Sequence, residues 1–271
     1  MLQGTLMKEW NVGVRSWRTN VRAALENRIA FALQVFGMML NDTAFVVIWS
    51  MFFTTFGTVN GWGIWDSIGL LGFGTITFGL AFGFLGGAPH INRYVADASF
   101  DGFLLSPNIV LWRVLTSKMD VAALGDAVFG AVLLTLYAIQ IHADIATVGL
   151  MVLLIIPGVA ITLSMSILSQ LPSFFVFGGD IIAVNIFKAF LAPSLYPAAL
   201  YSDAARVFYT IVIPSMIVGG LPVEIVRAQS GVLLMGVWIL ATFWTIITIV
   251  AFYACLKKYE SGNAIGLRSA N

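Results

Sequence analysis

The stretch Val207–Leu221, VFYTIVIPSMIVGGL, decides how this chain is folded. It is apolar enough to count as a membrane span and too short to be an ordinary one. It holds 15 residues, is broken by Pro214 and the pair Gly219–Gly220, and is flanked by Arg206 and Glu224. Crossing a hydrocarbon core of about 30 Å takes about 20 helical residues, and a shorter, interrupted run is better suited to dipping in and returning. If the stretch crosses, the chain has seven spans. If it returns, the chain has six.

The rest of the composition leaves no doubt about the solvent. Of 271 residues, 59% are hydrophobic and 10% charged, whereas a soluble domain is about 45–50% apolar and about 25% charged. That excess predicts an integral membrane protein. The net charge of +1 gives no basic footprint for nucleic acid. Cys255 is the single cysteine, so an intramolecular disulfide is excluded. Five basic residues (Lys8, Arg15, Arg18, Arg22, Arg28) and no short apolar core mark the first 28 positions, which argues against a cleaved leader. Apolar runs at roughly 29–57, 64–87, 121–141, 146–171, 173–194 and 231–256 read as six spans of one membrane domain covering 1–271.

Charge decides between six and seven. With six spans and an inside N-terminus, the inner side holds those five residues, Arg93, Arg113 and Lys118, then Lys257, Lys258 and Arg268. The outer side holds only Arg206 and Arg227, and Lys188 falls within the fifth span. Cationic loops stay inside. Seven spans would place the Lys257–Lys258 tail outside, so six is the expectation, with residues 196–222 forming an external re-entrant segment.

Local patterns add detail. Trp10, Val14, Trp17 and Val21 share one helical face, with Arg15, Arg18 and Arg22 around from it, which predicts an amphipathic helix over 1–28 lying in the inner interface. Gly79, Gly83 and Gly87 recur every four residues in the second span and predict a close helix contact, within the chain or at a dimer seam. Asp42 falls inside the first apolar run and Asp180 inside the fifth, together with Lys188. Charges at bilayer depth are costly and should face protein or water, so Asp42 and Asp180 are candidates for a translocation path. An end-of-span position for Asp42, and snorkelling for Lys188, are equally open.

Catalytic sets are missing from the pattern. His90 and His142 fall on opposite sides, too far apart to share a metal. No lysine is followed by serine or threonine, so the chain has no phosphate-binding G-x-x-x-x-G-K-[ST] loop. The expectation is a protein that is not an enzyme and holds no cofactor or metal.

Several short signatures carry a resemblance. They are FGTVNGWGIWD (56–66), with a Gly-Trp pair after the first span; FDGFLLSPNIVLWRVL (100–115); prolines at 197, 214 and 222; and the ending KKYESGN (257–263). In this order they resemble the six-span permeases of the ATP-binding-cassette (ABC) type-2 exporter class. In the second signature Asp101, Leu104, Leu105 and Pro107 match the family's Leu-Asp-x-x-Leu-Leu-x-Pro motif, while Phe100 replaces the leucine and Ser106 stands where arginine is common. The resemblance implies an all-α membrane subunit of a bacterial cytoplasmic membrane, with six spans and both termini inside. It also implies a partner ATPase that holds the ATP and magnesium, and a second permease chain, identical or related. A cytoplasmic coupling helix within about 89–103 would meet that ATPase, with Arg93, Asp97, Asp101, Leu104, Leu105 and Pro107 as its candidate contacts. Asp97 and Asp101, four apart, would share one face of that helix, and Arg93 could instead pair internally with Asp97.

Export of an amphipathic or hydrophobic compound is the function this implies. The alternative is a secondary transporter driven by an ion gradient, using Asp42, Asp180 and Lys188 as intramembrane charges. Against it, the two three-span halves show no repeat.

Overall fold

A computed structural model describes residues 2–105, 109–176 and 179–259, and every regular element in them is helical. In chain order the α-helices are α1 (Leu2–Glu26), α2 (Arg28–Phe56), α3 (Ile64–Leu85), α4 (Ile91–Ala96), α5 (Asp101–Leu104), α6 (Val110–Thr116), α7 (Ala123–Gln140), α8 (Ile145–Gln170), α9 (Gly179–Ser194), α10 (Asp203–Ile211), α11 (Gly220–Ala228) and α12 (Gly231–Leu256). Short 3-10 turns lie at Ala88–His90, Leu171–Phe174, Ala198–Leu200 and Ser215–Ile217.

Five helices, α2, α3, α7, α8 and α12, are long and apolar enough to cross a membrane. The expected span at 173–194 is the exception. Among the described residues α9 covers Gly179–Ser194, 16 residues, about 24 Å of helix against about 30 Å of hydrocarbon. Pro172, in the turn that follows α8, has no N–H with which to carry that helix onward. Asp180, Asn185 and Lys188 further dilute the apolar character of α9.

Helix α3 is the axis of the bundle, and its contact with α7 is the most extensive between any two elements. The two run antiparallel with small residues at the seam. Gly69 meets Tyr137, Gly72 meets Leu134, Gly79 meets Ala127 and Gly83 meets Leu124. From the other side, Gly130 of α7 meets Ile76. A Cβ on Gly79 would overlap the backbone nitrogen of Ala127, and one on Gly130 that of Ile76. Removing those Cβ atoms is what lets the two backbones approach, and dispersion along the seam replaces lipid contact. α8 closes over the other side of α3, and α12 and α9 pack on α8. α2 buries Trp49 and Phe53 and seats Val35 on Gly125 of α7, while its most apolar window holds no buried residue.

α1 and α2 are separated at Asn27, whose side chain accepts from the Ala30 N–H (3.1 Å) and so caps α2. α1 lies against α3 and α6. Gly13 seats on Trp112, and the Trp17 indole donates to the Phe84 carbonyl at 2.7 Å.

The deciding stretch is not one helix. α10 stops at Ile211 and α11 begins at Gly220, and the intervening Pro214–Gly220 is buried in the bundle. Pro214 cannot donate, so the chain breaks there, and protein rather than lipid surrounds the freed backbone groups. Arg206 of α10 grips both carboxylate oxygens of Glu224 in α11, each at 2.7 Å, and pins the two arms together. Nearby, Asn60 and Gly61 both have positive φ (47° and 77°) and form the tight turn between Val59 and Trp62. Asn60 donates to the Ala199 carbonyl at 2.9 Å, and Arg227 lies 3.5 Å from Asp66.

Candidate functional site

At the end of the bundle opposite the α10–α11 hairpin, the polar passage after α3 folds into a compact cap. It begins where α3 stops at Gly86 and the chain turns under α6. The Gly87 N–H donates to the Leu115 carbonyl at 3.0 Å, and a Cβ on Gly87 would overlap the Val114 carbonyl oxygen. Gly87 therefore packs on α6, off the face that Gly79 and Gly83 present to α7.

The cap holds two short helices where one was expected. α4 ends at Ala96, Ala98 takes a left-handed φ of 55°, and α5 starts at Asp101. Asp97 thus caps the end of α4 while Asp101 opens α5, and the two share no helical face. Arg93 pairs internally with Asp97 at 3.4 Å, with side chains 70% and 58% exposed. Tyr94 hydrogen-bonds Ser117 through its hydroxyl at 2.9 Å, with Lys118 over its ring. The half-buried His90 ring stacks on Tyr94, and its Nδ1 lies 3.0 Å from the Gly86 carbonyl oxygen. Burial, then the Lys118 charge, lowers the His90 pKa.

Phe100 anchors this cap. It is fully buried, with its ring centroid 5.3 Å from Tyr259, 5.7 Å from Phe174 and 6.3 Å from Phe252. One side chain thereby joins α5 to the turn after α8 and to the end of α12. The Tyr259 phenol is pushed up to about 12, first by burial and then by the Asp101 carboxylate beside it. Asp101 therefore faces inward onto Tyr259.

The solvent side of the cap carries apolar side chains. Leu104 is 42% exposed and Leu105 88% exposed. Arg113 lies over the Phe103 ring at 6.0 Å. Pro107 lies outside the described residues. The cap thus offers an exposed leucine pair and an Arg93–Asp97 pair, held in place by a buried aromatic cluster.

Of the spanning charges, Asp42 of α2 lies within charge–charge range of Asp126 of α7. Asp42 sits at the middle of α2, half-buried, with one carboxylate oxygen buried and without a hydrogen bond among the described residues. Asp180 is exposed in the first turn of α9, and Lys188 is exposed further along it. Asp126 of α7 is a buried acid that sequence reading passed over, 8% exposed, with one oxygen likewise unpartnered among the described residues. Its position inside an apolar run gave it the same signal as Asp42. The aromatic cluster had no such signal, because Phe100, Phe174, Phe252 and Tyr259 are neighbours only in space. Among the described residues no group of acidic, histidine or cysteine side chains could hold a metal.

Comparison with known proteins supplies the family. Residues 39–263 match the family model described as "ABC-2 family transporter protein". Neither the curated proteins nor the solved structures that were compared gave a match.

Proposed function

Because this chain belongs to the ABC-2 family of transporter proteins, we propose that it is the membrane-spanning subunit of an ATP-driven exporter whose ATP and magnesium are held by a separate ATPase subunit. It works as a pair of permease chains and moves an amphipathic or hydrophobic compound. In this reading the short α9 is the fifth of six spans, accommodated by local thinning of the bilayer or by flanking protein. Both termini and the α4–α6 cap face the cytoplasm of a bacterial cell, and the α10–α11 hairpin enters from outside and returns. Asp42 and Asp180, neither of them ion-paired among the described residues, remain the candidates for the path.

The observation that carries the proposal is Leu105, an apolar side chain 88% exposed on the solvent side of the cap beside Leu104. Exposed apolar groups rimmed by charge mark contact surfaces. ATP-driven closure of a partner is transmitted through a packed contact, and the Phe100 cluster carries a push at Leu104–Leu105 into the turn after α8 and into α12.

The test is purification of the full chain in mild detergent, with identification of the subunits that accompany it. An ATPase subunit is expected, and Leu105→Asp should release it while the permease stays in the membrane. The reading fails if no ATPase accompanies the wild type, or if Leu105→Asp leaves both assembly and transport unchanged.

A further inference from the structure

Along α2, Val35, Met39, Asp42, Val46, Trp49 and Phe53 recur every three or four residues and are all partly or fully buried. Asp42 therefore belongs to the face that meets the bundle, between Val35, which seats on Gly125 of α7, and the buried Trp49. Asp126 follows Gly125 in α7. It is 8% exposed, and its Oδ1 has no hydrogen-bond partner among the described residues, nor has Oδ2 of Asp42. The two carboxyls act on each other as like charges. Among the described residues no lysine or arginine pairs with either.

The neighbouring elements bring no compensating cation. α3, which packs on both helices, carries Asp66 as its one ionisable side chain, and that residue lies at the far end beside Arg227. Arg15, Arg18, Arg22 and Glu26 of α1 are exposed. The next charge acting on Asp126 is a further acid, Asp120, exposed ahead of α7 and accepting from the Ala122 and Ala123 N–H groups at 3.1 and 3.3 Å. Asp120 acts in turn on His90 of the cap, together with Lys118 and Arg93. His90, Asp120, Asp126 and Asp42 thus form a chain of titratable groups, each within charge range of the next, from the cap to the middle of α2.

An unpaired carboxylate is costly at bilayer depth, and two like charges in one contact oppose double ionisation. A Cβ on Gly125 would come within 2.9 Å of Val35 Cγ1, so beside Asp126 the helices leave room for a proton and none for an organic cation. We propose that Asp42 and Asp126 form a proton-binding site between α2 and α7, holding one proton between them and loaded from the cap side through Asp120. The proton comes from water at the cap and returns there, so the site needs no other reactant. Its loss puts two negative charges into the contact and pushes α2 off α7. The site requires only that α2 and α7 cross a bilayer, and it is independent of what the protein transports.

The experiment is infrared spectroscopy of the purified full chain in lipid nanodiscs across pH, reading the C=O band of protonated carboxyls. At neutral pH the wild type should show one protonated carboxyl per chain, and the combined Asp42→Asn and Asp126→Asn variant should show none. Asparagine is a neutral isostere of the protonated acid, so thermal unfolding of that variant should not fall. Either single substitution should remove the band or change the pH at which it titrates, because the like-charged partner is gone. In heavy water the carboxyl proton should exchange, and Asp120→Asn should slow that exchange severalfold while its side-chain carbonyl still caps α7. Absence of the band in the wild type, its persistence in the double variant, or a titration untouched by both single substitutions overturns the proposal. Unchanged exchange in Asp120→Asn overturns the loading route.

Discussion

The Tyr259 ring packs on Phe100 with centroids 5.3 Å apart and planes tilted by 52°, joining the last described residue of the chain to the middle of the polar cap. Such a pair contributes about 0.5–1.5 kcal/mol beyond the area it buries. Tyr259→Ala should therefore loosen the cap without preventing membrane insertion, and ATPase assembly should weaken by roughly threefold to tenfold. Tyr259→Phe keeps the ring and should behave like the wild type. Equal subunit retention by the alanine and phenylalanine variants would remove Tyr259 from this role.

Substitutions along the α3–α7 seam should fall in a definite order. At Gly79 a new methyl meets the Ala127 backbone, which has nowhere to go, whereas at Gly83 it meets the Leu124 side chain, 2.6 Å from Cδ2, which can rotate away. Overpacking costs about 1–3 kcal/mol when the backbone must shift. Gly79→Ala should thus lower the unfolding temperature in detergent by several degrees more than Gly83→Ala. The reverse order would mean that the seam is looser than described.

In the Arg206–Glu224 bridge one guanidinium nitrogen, Nη2, donates to both carboxylate oxygens at 2.7 Å, with side chains 38% and 20% exposed. A charge-assisted pair in that setting is worth about 1.5–3 kcal/mol, discounted here because both groups still see solvent. Arg206→Ala and Glu224→Ala should each destabilise the hairpin, and the double variant should cost less than their sum. Strict additivity in thermal unfolding would show that the two do not hold each other.

Topology is open to labelling. In a Cys255→Ser background, Ser202→Cys should react with an impermeant thiol reagent applied from outside, and Ser261→Cys should not. Labelling of Ser261→Cys from outside would sink the six-span arrangement.

His90 makes stability depend on pH. Its pKa in the fold lies below the ordinary 6.5, so between the two values the unfolded chain binds more protons. Stability should rise with pH across that window and be lost as pH falls through it. His90→Gln should flatten the dependence below about pH 6.5 in thermal unfolding, and an unchanged slope would assign it to another group.

Most helices were legible in the sequence because apolar length is a local, additive signal. The expected 29–57 and 231–256 became Arg28–Phe56 and Gly231–Leu256. What escaped were features that depend on a distant neighbour or on one unusual backbone angle. Nothing in the residue types announces that Ala98 will take a left-handed φ, and with that break the shared face of Asp97 and Asp101 disappears. Gly87 looked like a third member of a helix stripe because spacing carries no information about where α3 stops. Gly130, the matching glycine on α7, becomes meaningful only once the helices are laid antiparallel.

That antiparallel seam has a consequence for how the protein is made. α3 leaves the ribosome well before the helix it is shaped to fit, and at about 5–20 residues per second Gln140 follows Leu85 by roughly 3–11 s. For that interval the stripe of Gly69, Gly72, Gly79 and Gly83 has only lipid, α2 or the insertion machinery beside it. The half-made chain is then exposed to quality-control proteases. A defect at Gly79 should therefore appear first as a lower amount of protein in the membrane, with the surviving molecules transporting normally.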